Sequence, residues 1–244
     1  MRRLLSALTT LLALSACDSD TDPVVPTDDA VTVDTASPPA DTAPAVDTFQ
    51  IPVEPRDFKN GATGRIVHVV DGDTVHVFVG ETFPKSYAVR LQGLGAPECV
   101  KKQVPIEDGS WQSTCSADDE FYGLASCEGA KSIAQGQRVK ITCDGVANGA
   151  WCPQDDFDRY LAYLQLENGK DFATEMAWHG WAFSYTSFSS SKRAAICAAE
   201  YDARKNKRGM WSTGTVAQVL AKMSTQTQGW YKSHDSKCDA ALGR

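Results

Sequence analysis

The sequence predicts an α+β domain: a five-stranded Greek-key barrel with helices packed outside it. Three observations lead there. Five short segments are rich in β-branched and aromatic residues and alternate apolar with polar positions. Helical patterns interrupt them once and then follow them, in the order β-β-β-α-β-β-α-α. Glycine-containing breaks separate the segments at short intervals, as small barrels require.

The first two strands are Gly64–Val70 and Thr74–Val79, joined by Asp-Gly-Asp. Asp-Gly between two such runs is a strong hairpin signal, because the favoured two-residue turn has φ > 0 at both central positions. That register pairs His68 with Val75 and His76 with Val67, so the two histidines point to opposite faces of the sheet. Asp73, at the start of the second strand, is not explained by the turn, since aspartate is disfavoured in strands. The third strand, Tyr87–Leu94, carries Arg90 in an otherwise apolar run. An irregular cysteine-bearing insert follows, then a helix near Phe121–Gln135. Strands Arg138–Cys143 and Tyr160–Leu166 complete the five. A helix at Asp171–Trp178 is ended by Gly180, and one at Lys192–Arg208 by Gly209. Beyond Trp211 the pattern offers one short helix, Val216–Met223, and a polar end carrying Cys238.

The ends of the chain are of different character. Residues 1–17 read MRRLLSALTTLLALSAC: two arginines, a short apolar stretch, and small residues before a cysteine. This is the pattern of a secretory signal, and its apolar stretch is well short of the ~20 residues a membrane span needs. LSAC resembles the lipobox of bacterial lipoproteins, which implies cleavage before Cys17, acylation of Cys17, and an anchored position on the bacterial cell envelope, facing periplasm or exterior. Residues 18–55 hold eight aspartates and Glu54 with no lysine or arginine. Such a segment buries too little apolar surface to offset its ordering entropy and reads as an extended tether. The expected organisation is therefore signal 1–17, linker 18–55, a folded domain 56–212, and an extension 213–244.

The net charge of −7 lies in the linker, and residues 56–244 are neutral overall. The domain thus lacks the basic excess of strong non-specific nucleic-acid binders, although a neutral domain can carry a local basic groove. Eight cysteines suit an oxidising compartment. Cys143 and Cys152 bracket a short Gly-rich loop and form the best pair, and Cys197 with Cys238 would tie down the tail. Cys99, Cys115 and Cys127 leave one free thiol among them, with the pairing open. There is no CxxC, and the four histidines have no metal-ligand spacing.

One set of polar residues has a recognisable task. Arg90 is costly in a barrel strand unless it meets solvent or an anion. Glu98 follows a glycine- and proline-stiffened exit from that strand. Arg159 opens the fifth strand, behind Phe157. Two guanidiniums can clamp phosphate oxygens, a carboxylate can deprotonate a water, and Asp71 and Asp73 can hold a hard cation.

In GRIVHVVDGDTVHV, VRLQGLGAPE, DFDRYLAYL, HGWAFSY and EYDARKNKRGMW, over roughly residues 62–212, the sequence resembles the staphylococcal nuclease (thermonuclease-like) family. The resemblance implies an oligonucleotide-binding (OB-fold) barrel with three helices. It also implies hydrolysis of phosphodiester bonds in DNA and RNA, with single strands favoured, little sequence preference and 3′-phosphate ends. Arg90 and Arg159 match the arginines that bind phosphate, and Glu98 matches the base for the attacking water. Asp73 matches the calcium ligand, with Asp71 beside the metal. Phe157 and Tyr185 match aromatic residues of the nucleotide pocket. One position departs from the pattern: Gly95 stands where the family usually has an aspartate that binds calcium. Either the ion binds weakly, or another acid (Asp71, Glu107 or Asp108) substitutes, or the site is degenerate. In the last case the barrel would be a non-catalytic nucleic-acid binder or a surface scaffold.

Overall fold

The computed structural model describes residues 58–80 and 85–244. The expected signal, the lipobox with Cys17 and the linker lie outside the described residues. In chain order the elements begin with β1 Thr63–Val69, β2 Thr74–Val79, β3 Lys85–Leu91 and the two-residue β4 Leu94–Gly95. Next come β5 Cys99–Pro105, β6 Trp111–Asp118, α1 Gly123–Ala134, β7 Arg138–Thr142 and β8 Tyr160–Leu166. Then follow α2 Phe172–Trp178, β9 Phe183–Ser184, α3 Arg193–Lys205, α4 Val216–Leu220, α5 Thr225–Tyr231 and α6 His234–Leu242.

Strands β1, β2, β3, β8 and β7 close a barrel in that order. All neighbours are antiparallel except β3 and β8, which run parallel. The α+β Greek-key barrel is therefore as the sequence predicts. Its interior is packed with Ile66, Val75, Val77, Val89, Ile141 and Leu164, each fully buried. The parallel pair brings the start of β8 beside β3 and so sets Arg159 near Arg90.

The structure corrects the sequence reading in three places. The β1–β2 register contains a bulge, so His68 pairs with His76 and Val69 with Val75. The two imidazoles share one face, with ring centroids 6.1 Å apart. The loop that joins these strands is longer than a two-residue turn: the amides of Val70 and Asp71 both donate to the Thr74 carbonyl. The insert is no irregular loop but a hairpin, β5–β6, stapled by Cys99–Cys115. Its pattern was hidden because the hairpin is mostly exposed and has little apolar alternation. It docks on β1 through Thr114 Oγ1, which donates to the Val69 carbonyl at 3.0 Å. The tail holds three helices rather than one, and Cys197–Cys238 fastens it to α3. Cys143–Cys152 forms as expected, and among the described residues Cys127 is the free thiol, and it is buried.

The shared face of His68 and His76 has a measurable consequence. Burial, with the neighbouring His68 adding to it, lowers His76 from its ordinary 6.5 to about 4. A folded-state pKa below the unfolded one means that the unfolded chain takes up the proton first as pH falls. Stability from this group is therefore lost between pH 6.5 and 4, by about 3 kcal/mol at most. Urea unfolding of wild type and His76→Gln at pH 7 and pH 4.5 checks this: the variant should lose less stability on acidification.

Candidate active site

The site begins in the loop between β1 and β2. Gly72 is required there because a Cβ would lie 2.0 Å from Ser126 Oγ and 2.6 Å from the Ala96 side chain. Helix α1 and the β4 exit thus press against the loop and drive both flanking aspartates into the protein, where Asp71 and Asp73 are buried. Asp73 is fully engaged. Its Oδ1 accepts from Arg90 Nη1 and from Thr74 Oγ1 at 3.0 Å, and its Oδ2 accepts from the Ala96 amide at 2.9 Å. Asp71 Oδ1 accepts from the Asp73 amide at 3.1 Å, and its Oδ2 lies 2.9 Å from Lys101 Nζ.

The arginines are held by separate partners and linked through the Thr74 hydroxyl and Asp73 Oδ1. Thr74 pairs with Arg90 across β2–β3. Arg159 Nη1 donates to the same Thr74 hydroxyl at 3.3 Å. Arg90 Nη2 donates to the Leu94 carbonyl at 3.2 Å, while Arg159 grips Asp155 at 2.7–2.9 Å through Nε and Nη2. The fork geometry of guanidinium leaves further donors on each side chain for an anion. Phe157 is 78% exposed and lies beside Arg159, the guanidinium 5.3 Å from its ring centre.

Glu98 sits on a rigid platform. Its amide donates to Glu120 Oε2 at 3.2 Å and its carbonyl accepts the Glu120 amide. The next residue is fixed by the Cys99–Cys115 disulfide. The carboxylate itself is 44% exposed and 3.8 Å from Lys101 Nζ. Burial and the charge of Asp71 raise the Glu98 pKa, with Lys101 and Arg90 pulling the other way. Burial pushes Asp73 up to about 7 against the pull of Arg90, and the Asp71 and Glu98 charges add to the rise. Burial would raise Asp71 too, but Lys101 and Arg90 outweigh it and hold that carboxyl below the usual range.

The structure therefore brings Asp71, Asp73, Arg90, Glu98 and Arg159 into one constellation. Tyr185 follows β9 at the rim: its amide donates to the Gly93 carbonyl, and its ring packs edge-on against Trp230, 5.2 Å between centres. Glu107 and Asp108 are engaged elsewhere. Glu107 forms a bidentate pair with Arg65, and Asp108 holds the turn of the β5–β6 hairpin through Ser110. Sequence reasoning missed Lys101, Thr74, Glu120 and Asp155. Only Lys101 had a readable signal, its spacing three residues beyond Glu98.

This donor set does not fit a divalent cation. Among the described residues, no three acidic, histidine or cysteine side chains converge as metal ligands. All four oxygens of Asp71 and Asp73 already face protein donors. Gly95 offers no carboxylate, and a Cβ there would stand 2.7 Å from Cε2 of the buried Phe183 ring.

Residues 88–213 match the family described as staphylococcal nuclease homologue. An uncharacterized protein of Methanocaldococcus jannaschii is 30% identical over 61% of this chain and 71% of its own length. A protein of Escherichia coli O157:H7 named as an uncharacterized endonuclease is 28% identical over 61% of this chain and 76% of its own. The thermonuclease of Staphylococcus intermedius is 27% identical over 62% and 77%. The family match and the names of these relatives define a protein of the nuclease-like class. The chain belongs to the staphylococcal nuclease homologue family.

Proposed function

We propose that this protein is a nuclease that hydrolyses phosphodiester bonds of DNA and RNA with little sequence preference. The observation that carries this reading is that Arg90 and Arg159 enter one short network, Arg90 at Asp73 Oδ1 and Arg159 at the Thr74 hydroxyl that donates to the same oxygen, with Glu98 joined to it through Lys101 and Asp71. Asp73 and Asp155 each balance one guanidinium, and the donors left on both side chains can take the oxygens of a phosphodiester. In the reaction, Glu98 takes a proton from a water as its oxygen bonds to phosphorus. The 5′ oxygen leaves with the electron pair of the broken P–O bond and takes a proton from solvent. Arg90 and Arg159 stabilise the charge that develops on the phosphoryl oxygens. The exposed Phe157 ring beside Arg159 supports a preference for single strands, since an unpaired base can stack on it. The calcium expected from the family pattern is not part of this mechanism, because the oxygens that would hold it are engaged.

Three disulfides support an oxidising location, consistent with a lipid-anchored enzyme on the cell envelope. The test follows cleavage of labelled single-stranded DNA by the full chain, with Arg159→Ala beside it. The variant should lose about a hundredfold in rate, as when one transition-state donor is removed. Salt-dependent binding without turnover would instead favour a non-catalytic barrel.

A further inference from the structure

Lys101 is a cation of this site that neither the barrel strands nor the family pattern accounts for. It lies on β5, in a hairpin whose base is fixed by the Cys99–Cys115 disulfide, and its own pairing partner across the hairpin is Cys115. Its ammonium stands 2.9 Å from Asp71 Oδ2 and 3.8 Å from Glu98 Oε2, and the side chain is 37% exposed. It is therefore held from behind and open in front. An ammonium has three donors. Asp71 takes one, and Glu98 is too distant for a normal hydrogen bond.

Two features show that the arrangement belongs to the packing of the molecule. Position 95 cannot carry a side chain without displacing Phe183, which is buried against Met210, Trp211 and Tyr231. And Asp73 has its two oxygens committed to Arg90, Thr74 and the Ala96 amide. A hard cation would have to compete for these oxygens with Arg90, Lys101 and the Ala96 amide, and the lysine ammonium already stands against Asp71.

Building on the nuclease reading, we propose that Lys101 is the built-in cation of the site. Its ammonium, positioned by Asp71 and Glu98, binds a non-bridging phosphate oxygen and supports hydrolysis without a divalent metal. Lysine suits this as a compact charge with donors that can rotate toward the oxygen. Asp71 fixes the ammonium, and Glu98, on its other flank, is left to handle the water.

The experiment measures cleavage of single-stranded DNA by the full chain in excess chelator and in millimolar calcium, together with calorimetric titration of calcium. Lys101→Met and Lys101→Arg are compared with wild type after each is shown to melt cooperatively. Wild type should cleave at a similar rate in chelator and in calcium, and calcium should give no binding heat. Lys101→Met should lose about tenfold to a hundredfold in both media, with Lys101→Arg retaining part of the rate. Cleavage that stops in chelator and returns with calcium would overturn the inference and leave the nuclease intact. So would a Lys101→Met protein that binds calcium and cleaves as fast as wild type, since the lysine would then be a plug. No cleavage in either medium by well-folded protein would overturn the nuclease reading and this inference together.

Discussion

Glu98→Gln is expected to lower kcat for single-stranded DNA by about 10²–10⁴-fold, the range for loss of a positioned general base. The substitution keeps the shape of the side chain and removes its negative charge and its capacity to take a proton. Three further observables separate this role from a structural one. First, the side chain is 44% exposed and holds no buried partner, so unfolding stability should stay within about 0.5 kcal/mol of wild type. Second, a carboxylate facing a phosphate repels it, so KM should not rise and is expected to fall. Third, the base must be deprotonated to act. Its pKa is raised by burial and by Asp71, so wild-type activity should rise with pH through a limb above the usual carboxylate range. That limb should shift in the variant, leaving only the titration of Asp73 near 7. A loss of less than threefold, or a profile unchanged from wild type, would remove Glu98 from the chemistry.

The barrel was legible because each strand declares itself locally. β2 is the plainest case: Thr74–Val79 is buried along its whole length, and its β-branched residues say so. Helix α2 was equally plain, since Asp171 caps it by accepting from the Thr174 amide. What failed was anything set by two elements meeting. The His68–His76 register depends on a bulge between Ile66 and His68, beside which the β5–β6 hairpin bonds His68 and Val69. The hairpin itself is exposed and charged, so it has no apolar period to read.

The site divides along the same line. Arg90, Arg159, Glu98, Asp71 and Asp73 stand out in sequence because a charged residue in a strand or at its end is costly and asks for a reason. Gly95 was visible as a departure, but its cause was not: the ring of Phe183, 88 positions away in sequence, occupies the space a side chain would need. Lys101 was hidden for a similar reason. In an exposed strand reading CVKKQVP it is one of two adjacent lysines, and only the disulfide-fixed hairpin shows which of them turns toward Asp71. The calcium expectation came from the family resemblance, which matches Asp73 to a ligand, and a residue match says nothing about which protein donors already meet its oxygens.

Glu200→Ala should destabilise the fold by about 3–5 kcal/mol, the range for removing one partner of a buried ion pair. Glu200 is fully buried on α3. Its Oε1 accepts from Arg204 Nε and Nη2, at 2.9 and 2.6 Å, and from the Tyr231 hydroxyl. Its Oε2 accepts from the Ser184 amide at 2.8 Å and meets His234 Nε2 at 2.8 Å. One carboxylate therefore satisfies α3, β9, α5 and α6 at once. Alanine would leave Arg204 with Asp235 as its remaining carboxylate partner and take away the acceptor shared by the Ser184 amide, the Tyr231 hydroxyl and His234, and each buried group left without a partner carries its own penalty. Against a typical total stability of roughly 5–15 kcal/mol this is a large share. Urea unfolding of oxidised protein reads the loss, and the double variant Glu200→Ala with Arg204→Ala should be less unstable than the sum of the singles. The effect should also reach the active site. Ser184 pairs with Leu94, whose carbonyl positions Arg90, and Glu120 grips both the Glu98 amide and, through Ser224 and Thr227, the start of α5. With the Cys197–Cys238 bridge intact the tail stays attached but loosens, so cleavage should fall at temperatures where the domain is still folded. Glu200→Ala protein of wild-type stability would show that the tail is an appendage and not part of what holds the site.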